Sequence, residues 1–281
     1  HSSLRINHIT GSGEPLYSRW RSEYQSDNVA ASIFISGSNV KNTWTSDPVQ
    51  AMQVNGDMMP SFAEIDDKFK DTNNNYWIAI RQILGHIHFN TNQVSQGDAS
   101  TWMDIVTDSQ WSGQNIGWDP TPNMFLMSWI HDTQGREFFE ALHDQRPRFV
   151  DSHTDLARFT GAGEFPVSFT YSHKMGRFGN DLPIDFFRFD RAPSSISPAI
   201  ISNKAPEPNQ AILFINFLSS KQGQDFIGGA GEYIPYRRDV EYAAWPPLWP
   251  PEGYEADVIA PDVDLEPTRQ MWNDVMGDLI G

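Results

Sequence analysis

Two loops rich in glycine and serine are the first places where this chain could bind a ligand. Residues 11–13 (Gly-Ser-Gly) precede a stretch with helical spacing, and a helix N-terminus offers unpaired N–H groups that suit an anion. Ser12 is the candidate contact there, although a helix-entry turn that needs glycine explains the same residues. Ser36 ends a predicted strand, Ser38 and Asn39 follow it, and ligands in open α/β sheets lie beyond the carboxyl ends of strands. This second loop is the stronger ligand candidate, with a plain turn as the alternative.

Two histidines and one aspartate lie on or beside predicted strands. His86 and His88 alternate along a strand and therefore share one face. An H-x-H pair can ligate zinc or copper, but no third donor follows at ligand spacing, so a structural role is favoured. Asp119 follows a short strand and precedes Pro120. Its carboxylate either accepts a hydrogen bond from a ligand amine or caps a helix that begins near Thr121.

The composition excludes several classes of function. The chain has 281 residues and no cysteine, which excludes disulfides, thiolate catalysis and cysteine-ligated zinc. Its 20 Lys and Arg against 36 Asp and Glu give a formal net charge of −16, which argues against nucleic-acid binding. No apolar run approaches the ~20 residues that a membrane helix needs. GxSxG, Walker and HExxH motifs are absent, and carboxylates are too abundant for any pair of them to indicate acid–base catalysis.

The hydrophobic pattern predicts an α/β fold. Alternating apolar and polar residues predict strands over 4–10 and 29–36 around a helix that contains Leu16, an order that favours parallel pairing. Helical spacing predicts one helix across 123–143, another from Asn209 and a third near the acidic end of the chain. The prolines of 245–251 exclude regular structure there. The remaining predicted strands are 77–89, 114–118, 164–171 and 184–189.

The order of these segments resembles that of the extracellular solute-binding proteins of ABC importers, in the branch that includes binders of ferric iron, thiamine and phosphonate. The most specific pair is the helical segment 208–226, with its S-x-x-G-Q, and the later segment 233–240, with its P-x-R. The other similar segments are 10–23, 32–39, 86–94, 101–106, 116–120 and 161–169.

The resemblance implies a two-lobed type II periplasmic-binding-protein architecture whose crossover strands act as hinges when ligand binds. One lobe would contain residues 4–90 and 198–281, and the other would contain residues 91–197. Asn90, in the Asn-Thr pair that ends the first crossover strand, becomes a ligand-binding candidate. Family members normally have one more strand and helix before the segment that matches Leu4, so the first βα unit is expected to be missing here.

Three more candidates come from the resemblance. Iron-binding members carry two adjacent tyrosines where this chain has Tyr171 followed by serine, so half of a ferric-iron clamp is missing. Tyr171 is expected to line the ligand site, and to bind a metal only if the ligand is iron. His173 could replace a ligand, although imidazole suits ferric iron less well than phenolate. Arg237 lies in a segment near the ligand site of family members, and Asp239 is expected to neutralise it.

The expected function is the solute-binding component of an ABC transporter, which captures a small polar solute between its lobes and delivers it to a membrane permease. An anionic organic or phosphonate-type solute is favoured, ferric iron is the alternative, and no cofactor is expected. A different class remains open: a two-lobed α/β hydrolase or transferase that uses Asp119 and His173. The protein is expected to be a secreted monomer, periplasmic or extracellular, with lipid anchoring left open.

Overall fold

The structure is a computed structural model that describes residues 5–11, 13–37, 40–176, 178, 181–230, 233–240 and 256–280. Three predicted ligand contacts, Ser12, Ser38 and Asn39, lie outside the described residues, as does the proline-rich stretch 245–251. The chain folds into two compact units. Unit 1 is His1–Gln82, Ile196–Glu241 and Ala260–Asp262; unit 2 is Ile83–Ser195, Tyr242–Ile259 and Val263–Gly281.

Strands and helices alternate along most of the described chain. The strands are β1 (Ile33–Ile35), β2 (Ile78–Asn90), β3 (Ile116–Trp118), β4 (Arg148–Phe149), β5 (Val167–Tyr171), β6 (Ile184–Phe186), β7 (Pro193–Ile201) and β8 (Asp257–Val258). The helices are α1 (Gly13–Gln25), α2 (Asn42–Thr45), α3 (Trp102–Thr107), α4 (Met124–Gln134), α5 (Arg136–Gln145), α6 (His153–Ala162), α7 (Ser172–Gly176), α8 (Pro208–Ser219), α9 (Lys221–Ala230) and α10 (Glu266–Ile280). Short 3₁₀ turns occupy Pro60–Glu64, Asp67–Phe69, Gln96–Asp98 and Ser109–Trp111.

Unit 1 packs α1 onto a short antiparallel pair of strands. Ile33 pairs with Ile201 and Ile35 pairs with Ala199, so the parallel pairing predicted for the second strand is wrong. Aromatic side chains at helical spacing on α1 are buried against Phe34, with the ring centroid of Trp20 5.3 Å from that of Phe34. Their burial explains why this segment forms a helix.

Residues 5–11 have no regular structure and are exposed, so the described part of the predicted strand 4–10 is not a strand. Ile6 and Ile9, which gave the segment its alternation, are 55% and 48% exposed. Alternation indicates a strand only where one face can be buried against a neighbour.

Unit 2 contains a mixed sheet covered by helices. Within it β5 pairs antiparallel with β2, and β3 lies parallel to both β5 and β4. The strand β8 runs parallel to the start of β7. The core buries aromatic rings from the sheet and from α4, α5 and α10, including Trp118, Phe138, Phe139, Phe169 and Trp272.

The two long strands β2 and β7 each begin in one unit and end in the other, as crossover strands of the predicted architecture should. The compact units and the predicted lobes assign the C-terminal helix α10 differently. α10 belongs to unit 2, because Met271, Trp272 and Met276 are buried in the core that α4 and α5 also line. The resemblance implies instead that all of 198–281 lies in one lobe with residues 4–90.

The helix predicted across 123–143 is divided at Gly135. This glycine has φ 76° and ψ 179°, a conformation that side-chain-bearing residues rarely adopt, and it ends α4 and precedes α5. The prediction of helical structure on both sides of Gly135 is correct. The break between α4 and α5 depends on the positive φ of Gly135, which the spacing of apolar residues does not indicate.

Candidate functional site

The carboxyl ends of three parallel strands in unit 2 bring polar side chains together. β3 pairs with β5 through Ile116↔Val167 and Gly117↔Ser168, and with β4 through Trp118↔Phe149. Asp119 follows β3, Tyr171 ends β5, and α6 begins at His153 shortly after β4. Because parallel strands end at the same edge of a sheet, these residues lie close together although they are distant in sequence.

Asp119 and His153 form a close imidazole–carboxylate contact. His153 Nε2 lies 2.8 Å from Asp119 Oδ2, and the two side chains are only 11% and 7% exposed. Burial, the largest effect, acts to raise the pKa of Asp119, but the contacts with His153 and Thr121 outweigh it and leave that pKa below its ordinary value. Asp119 is therefore a carboxylate at neutral pH. It caps no helix: it accepts from the N–H of Thr121 at 2.8 Å, while Asn123 caps α4.

The ring of Tyr171 lies close to two histidine rings. Its ring centroid is 3.7 Å from that of His153 and 5.6 Å from that of His173, with interplanar angles of 31° and 12°. Burial, followed by the negative charge of Asp119, raises the pKa of Tyr171 well above its ordinary value, and a hydrogen bond with Asn123 opposes the shift only in part. The hydroxyl consequently keeps its proton and can donate a hydrogen bond.

Asn123 hydrogen-bonds with α4 and with β7, which fixes its side chain beside Tyr171. Its Oδ1 accepts from the N–H of Phe125 at 3.0 Å, and its Nδ2 donates to Ser195 Oγ at 3.3 Å. The residue therefore has a fixed side chain that can hold the Tyr171 hydroxyl in place. We call Asp119, Asn123, His153, Tyr171 and His173 the strand-end cluster.

His86 and His88 lie in the interior of unit 2. His86 is 3% exposed and its ring centroid is 4.5 Å from that of Phe186. Burial, with Arg188 as a smaller cause, lowers the pKa of His86 to about 3. His88 is fully buried, and neither of its ring nitrogens has a hydrogen-bond partner among the described residues. Both rings are neutral at physiological pH.

Two other predicted contacts are occupied by backbone groups. Asn90 is 2% exposed; its Nδ2 donates to the carbonyls of Thr160 and Gly161, and its Oδ1 accepts from the N–H of Asn92. The half-buried Ser36 donates its N–H to the carbonyl of Pro198 at 3.3 Å. In this structure Asn90 anchors the end of β2, and its role as a ligand contact stays a prediction, as does that of Ser36.

Arg237 lies in unit 1 with two carboxylates. Its Nη1 is 2.7 Å from Glu64 Oε2 and its Nη2 is 2.8 Å from Asp239 Oδ2. Hydrogen bonding to Asp239 is the main reason why the pKa of Arg237 is raised, and the guanidinium is permanently charged. The predicted neutralisation by Asp239 is confirmed, and Glu64 adds to it.

Sequence reasoning missed His153 and Asn123. No spacing rule connects His153 with Asp119, since α4, α5 and β4 separate them. The available signal was topological: a histidine that opens a helix after a strand parallel to β3 lies at the same sheet edge. Asn123 could have been identified as a helix cap, because it precedes the apolar run of α4.

The described residues contain no group of three or more His, Asp or Glu side chains that could hold a metal ion. In the described part of the chain, no helix is long and apolar enough to cross a membrane.

Among known proteins, the chain is similar in fold to solved solute-binding and iron-binding proteins. No family model and no curated protein matches the chain. The solved structure of iron-bound HitA from Pseudomonas aeruginosa is similar at a TM-score of 0.75 and 17% identity, covering 93% of this chain and 87% of that one. IdiA (FutA) of Trichodesmium with iron and citrate is similar at a TM-score of 0.77 and 18% identity, covering 99% and 92%. The substrate-binding protein of an ABC transporter from Agrobacterium tumefaciens gives 0.72 and 11%, covering 95% and 84%.

These matches extend over nearly the whole chain and establish its fold. The protein has the α/β fold of the type II periplasmic binding proteins, which the sequence analysis predicted.

Proposed function

We propose that this protein is the solute-binding component of an ABC importer, which captures a small polar solute and delivers it to a membrane permease. The observation that carries the proposal is the similarity of nearly the whole chain to solved solute-binding proteins, at TM-scores of 0.72–0.77. Such a component acts as a monomer in the periplasm or outside the cell and needs no catalytic group or cofactor.

The strand-end cluster agrees with a binding role. It offers a protonated tyrosine hydroxyl, a carboxylate and an imidazole, all held by contacts within unit 2. A few oriented polar groups on rigid elements are what a solute-binding site needs. Binding of this kind requires neither a strained backbone nor an activated nucleophile.

The enzyme alternative gains little from the geometry. Asp119 contacts His153, whereas the alternative pairs it with His173. Thr170 Oγ1 lies 3.3 Å from His153 Nδ1 and would complete a hydroxyl–imidazole–carboxylate series. However, Thr170 is fully buried and its hydroxyl donates to the carbonyl of His153 at 3.0 Å, so it is not available as a nucleophile.

Ferric iron is a second candidate ligand, because Tyr171 and Asp119 are oxygen donors in the same cluster and two of the similar structures contain iron. Two features favour an anionic organic or phosphonate-type solute instead. The raised pKa of Tyr171 opposes the phenolate form that iron needs, and serine follows where iron binders carry a second tyrosine.

The test is calorimetric titration of the full chain with phosphate, methylphosphonate, citrate, ferric citrate and thiamine. We expect one solute to bind stoichiometrically and to remain unchanged by NMR after prolonged incubation. Tyr171→Phe should weaken that binding roughly tenfold, the effect of one lost hydrogen bond.

Tyr24→Phe is the matched control in unit 1, since its hydroxyl donates to the carbonyl of Val49 at 3.2 Å. It should lower stability slightly and leave affinity unchanged. Consumption of a solute would contradict the proposal, as would the absence of binding to every solute of the panel.

A further inference from the structure

We propose that Arg81 in unit 1 binds an oxyanion, the carboxylate or phosphate group of the transported solute. This inference rests on the proposed function and names a residue that would recognise the anionic group of the solute. It uses no residue of the strand-end cluster.

Arg81 is held in a defined position by its neighbours in unit 1. Its Cζ lies 3.6 Å from the centroid of the Tyr233 ring, and its Nε donates to Ser197 Oγ at 3.0 Å. Ser197 is 2% exposed, and Arg81 is partly buried. A guanidinium with its plane and its Nε fixed in this way loses little further freedom when it binds a ligand.

The segment that carries Tyr233 is attached to β2 independently of Arg81. The N–H of Gln82 donates to the carbonyl of Ile234 at 2.8 Å, and Gln82 Nε2 donates to the carbonyl of Pro235 at 3.1 Å. These hydrogen bonds hold the segment against β2, so the segment does not need Arg81 to keep it in place.

Among the described residues no carboxylate forms an ion pair with Arg81, although the chain has 36 Asp and Glu against 20 Lys and Arg. In contrast, Arg158 and Arg188 pair with Asp155 and Asp185 at 3.1 Å. A partly buried guanidinium without a described carboxylate partner can take its counter-charge from the carboxylate or phosphate group of a ligand.

The geometry selects the type of ligand. Ser197 takes the Nε donor, which leaves the two Nη groups as a planar fork. Such a fork binds carboxylate or phosphate oxygens with two parallel hydrogen bonds, and stacking on an aromatic ring adds to the attraction for an anion by shielding the pair from water. A neutral or cationic solute would leave the charge unpaired.

The test compares Arg81→Gln and Arg81→Lys with the wild-type chain in calorimetric titrations with phosphate, methylphosphonate and citrate, and with thiamine as the cationic probe. We expect at least one anion to bind, Arg81→Gln to weaken it about a hundredfold, and Arg81→Lys to weaken it about tenfold by keeping charge without the fork. Arg158→Gln is the matched control, because Arg158 also stacks on a ring, Phe159 at 4.3 Å, but has a carboxylate partner. It should leave affinity unchanged.

Thermal melting of each variant separates binding from folding. Loss of affinity in Arg81→Lys with an unchanged Tm supports the inference even if Arg81→Gln folds poorly. Equal anion affinity in wild type and both variants overturns it and leaves the proposed function standing, as does wild-type binding of thiamine alone. A folded wild-type chain that binds none of these four solutes overturns the inference. If it also fails to bind ferric citrate, it contradicts the proposed function as well.

Discussion

Buried histidine rings distinguish the interior of unit 2 from an ordinary hydrophobic core. His88 has no exposed surface and no hydrogen-bond partner for either ring nitrogen among the described residues. Burial first, and then the neighbouring His86, His153 and His173, lower its pKa well below the ordinary value of 6.5. A buried polar ring without hydrogen bonds lowers the free energy of unfolding. Replacing His88 by an apolar residue measures that cost.

We therefore expect His88→Leu to be as stable as the wild type at pH 7, or more stable by about 1 kcal/mol, since it removes unpaired polar atoms. The gain should grow on acidification. The unfolded chain takes up a proton at His88 below pH 6.5 and the folded chain does not, which costs the wild type about 1.4 kcal/mol per pH unit. Between pH 7 and pH 5 the difference should increase by roughly 2 kcal/mol in urea denaturation.

The exposed His8 provides the control for this measurement. His8→Leu should change stability by less than about 0.5 kcal/mol at either pH. A large loss of stability in His88→Leu at pH 7 would show that the ring makes hydrogen bonds after all.

At the scale of single residues, the sequence predicted what depends on neighbours in the chain. The shared face of His86 and His88 follows from alternation, and the neutralisation of Arg237 follows from Asp239 two positions later. The contacts of His153 with Asp119 and with the ring of Tyr171 depend on the parallel order of β3, β4 and β5. That order cannot be derived from the spacing of residues.

The boundary between α4 and α5 depends on Gly135, and a substitution there should change the free energy of unfolding. Alanine at this position would have to keep a φ of 76° with a ψ of 179°, a combination that essentially only glycine adopts, whereas the Glu137 carboxylate near its Cβ ends a flexible, exposed side chain and can move aside. We expect Gly135→Ala to lower the free energy of unfolding by about 1–3 kcal/mol. Urea denaturation monitored by circular dichroism measures this.

Two other glycines separate the causes. Gly113→Ala shares the positive φ, 74°, and has open space around the new Cβ, so it should also lose stability, through its backbone conformation alone. Gly56→Ala has open space and no unusual φ, and should change stability by less than about 0.5 kcal/mol. Equal losses in all three would refute the explanation.

A histidine connects the last helix of unit 2 to α5. His143 Nε2 lies 3.2 Å from Asp278 Oδ1, and this hydrogen bond is the main reason why the pKa of His143 is raised, with Asp144 contributing less. Because the pKa of the folded state exceeds that of the unfolded state, the contribution to stability is complete below the ordinary value of 6.5 and is lost as pH rises through the folded value.

Asp278→Asn should therefore lower Tm at pH 5.5 relative to the wild type, and the gap should shrink or reverse by pH 8.5. Hydrogen exchange of the α10 amides should show faster exchange in the variant at the lower pH only. Asp278 is largely exposed and His143 is partly exposed, so solvent screens the interaction and the effect should be small. A gap that widens as pH rises would contradict this sign.

Among the elements, long periodic segments were predicted well and pairing partners were not. The spacing of apolar residues located β2, β5 and α8, because each buries a continuous face. The antiparallel partner of β1 lies in β7, far along the chain, and no local pattern indicates it. The assignment of α10 to unit 2 likewise depends on which core its Trp272 and Met276 enter.

For the whole molecule the dominant electrostatic feature is a formal net charge of −16. Carboxylates at this density repel one another in the folded state, and most described ion pairs are too exposed to offset the repulsion. Raising NaCl from about 10 mM to about 1 M shortens the Debye length from about 30 Å to about 3 Å.

We therefore expect Tm to rise over this range of NaCl, as differential scanning calorimetry would show. Choline chloride should give a similar rise if screening is the cause. A flat or falling Tm would show that self-repulsion does not limit stability.

The packing of α10 in unit 2 affects the order in which the two units can fold during translation. Most of unit 1 comes from segments that end near residue 240, whereas the core of unit 2 needs Met271, Trp272 and Met276 from the last helix. The half of the molecule that is translated in the middle is thus completed last. Until α10 emerges, the apolar surfaces of α4 and α5 that it covers stay open to chaperones and to aggregation.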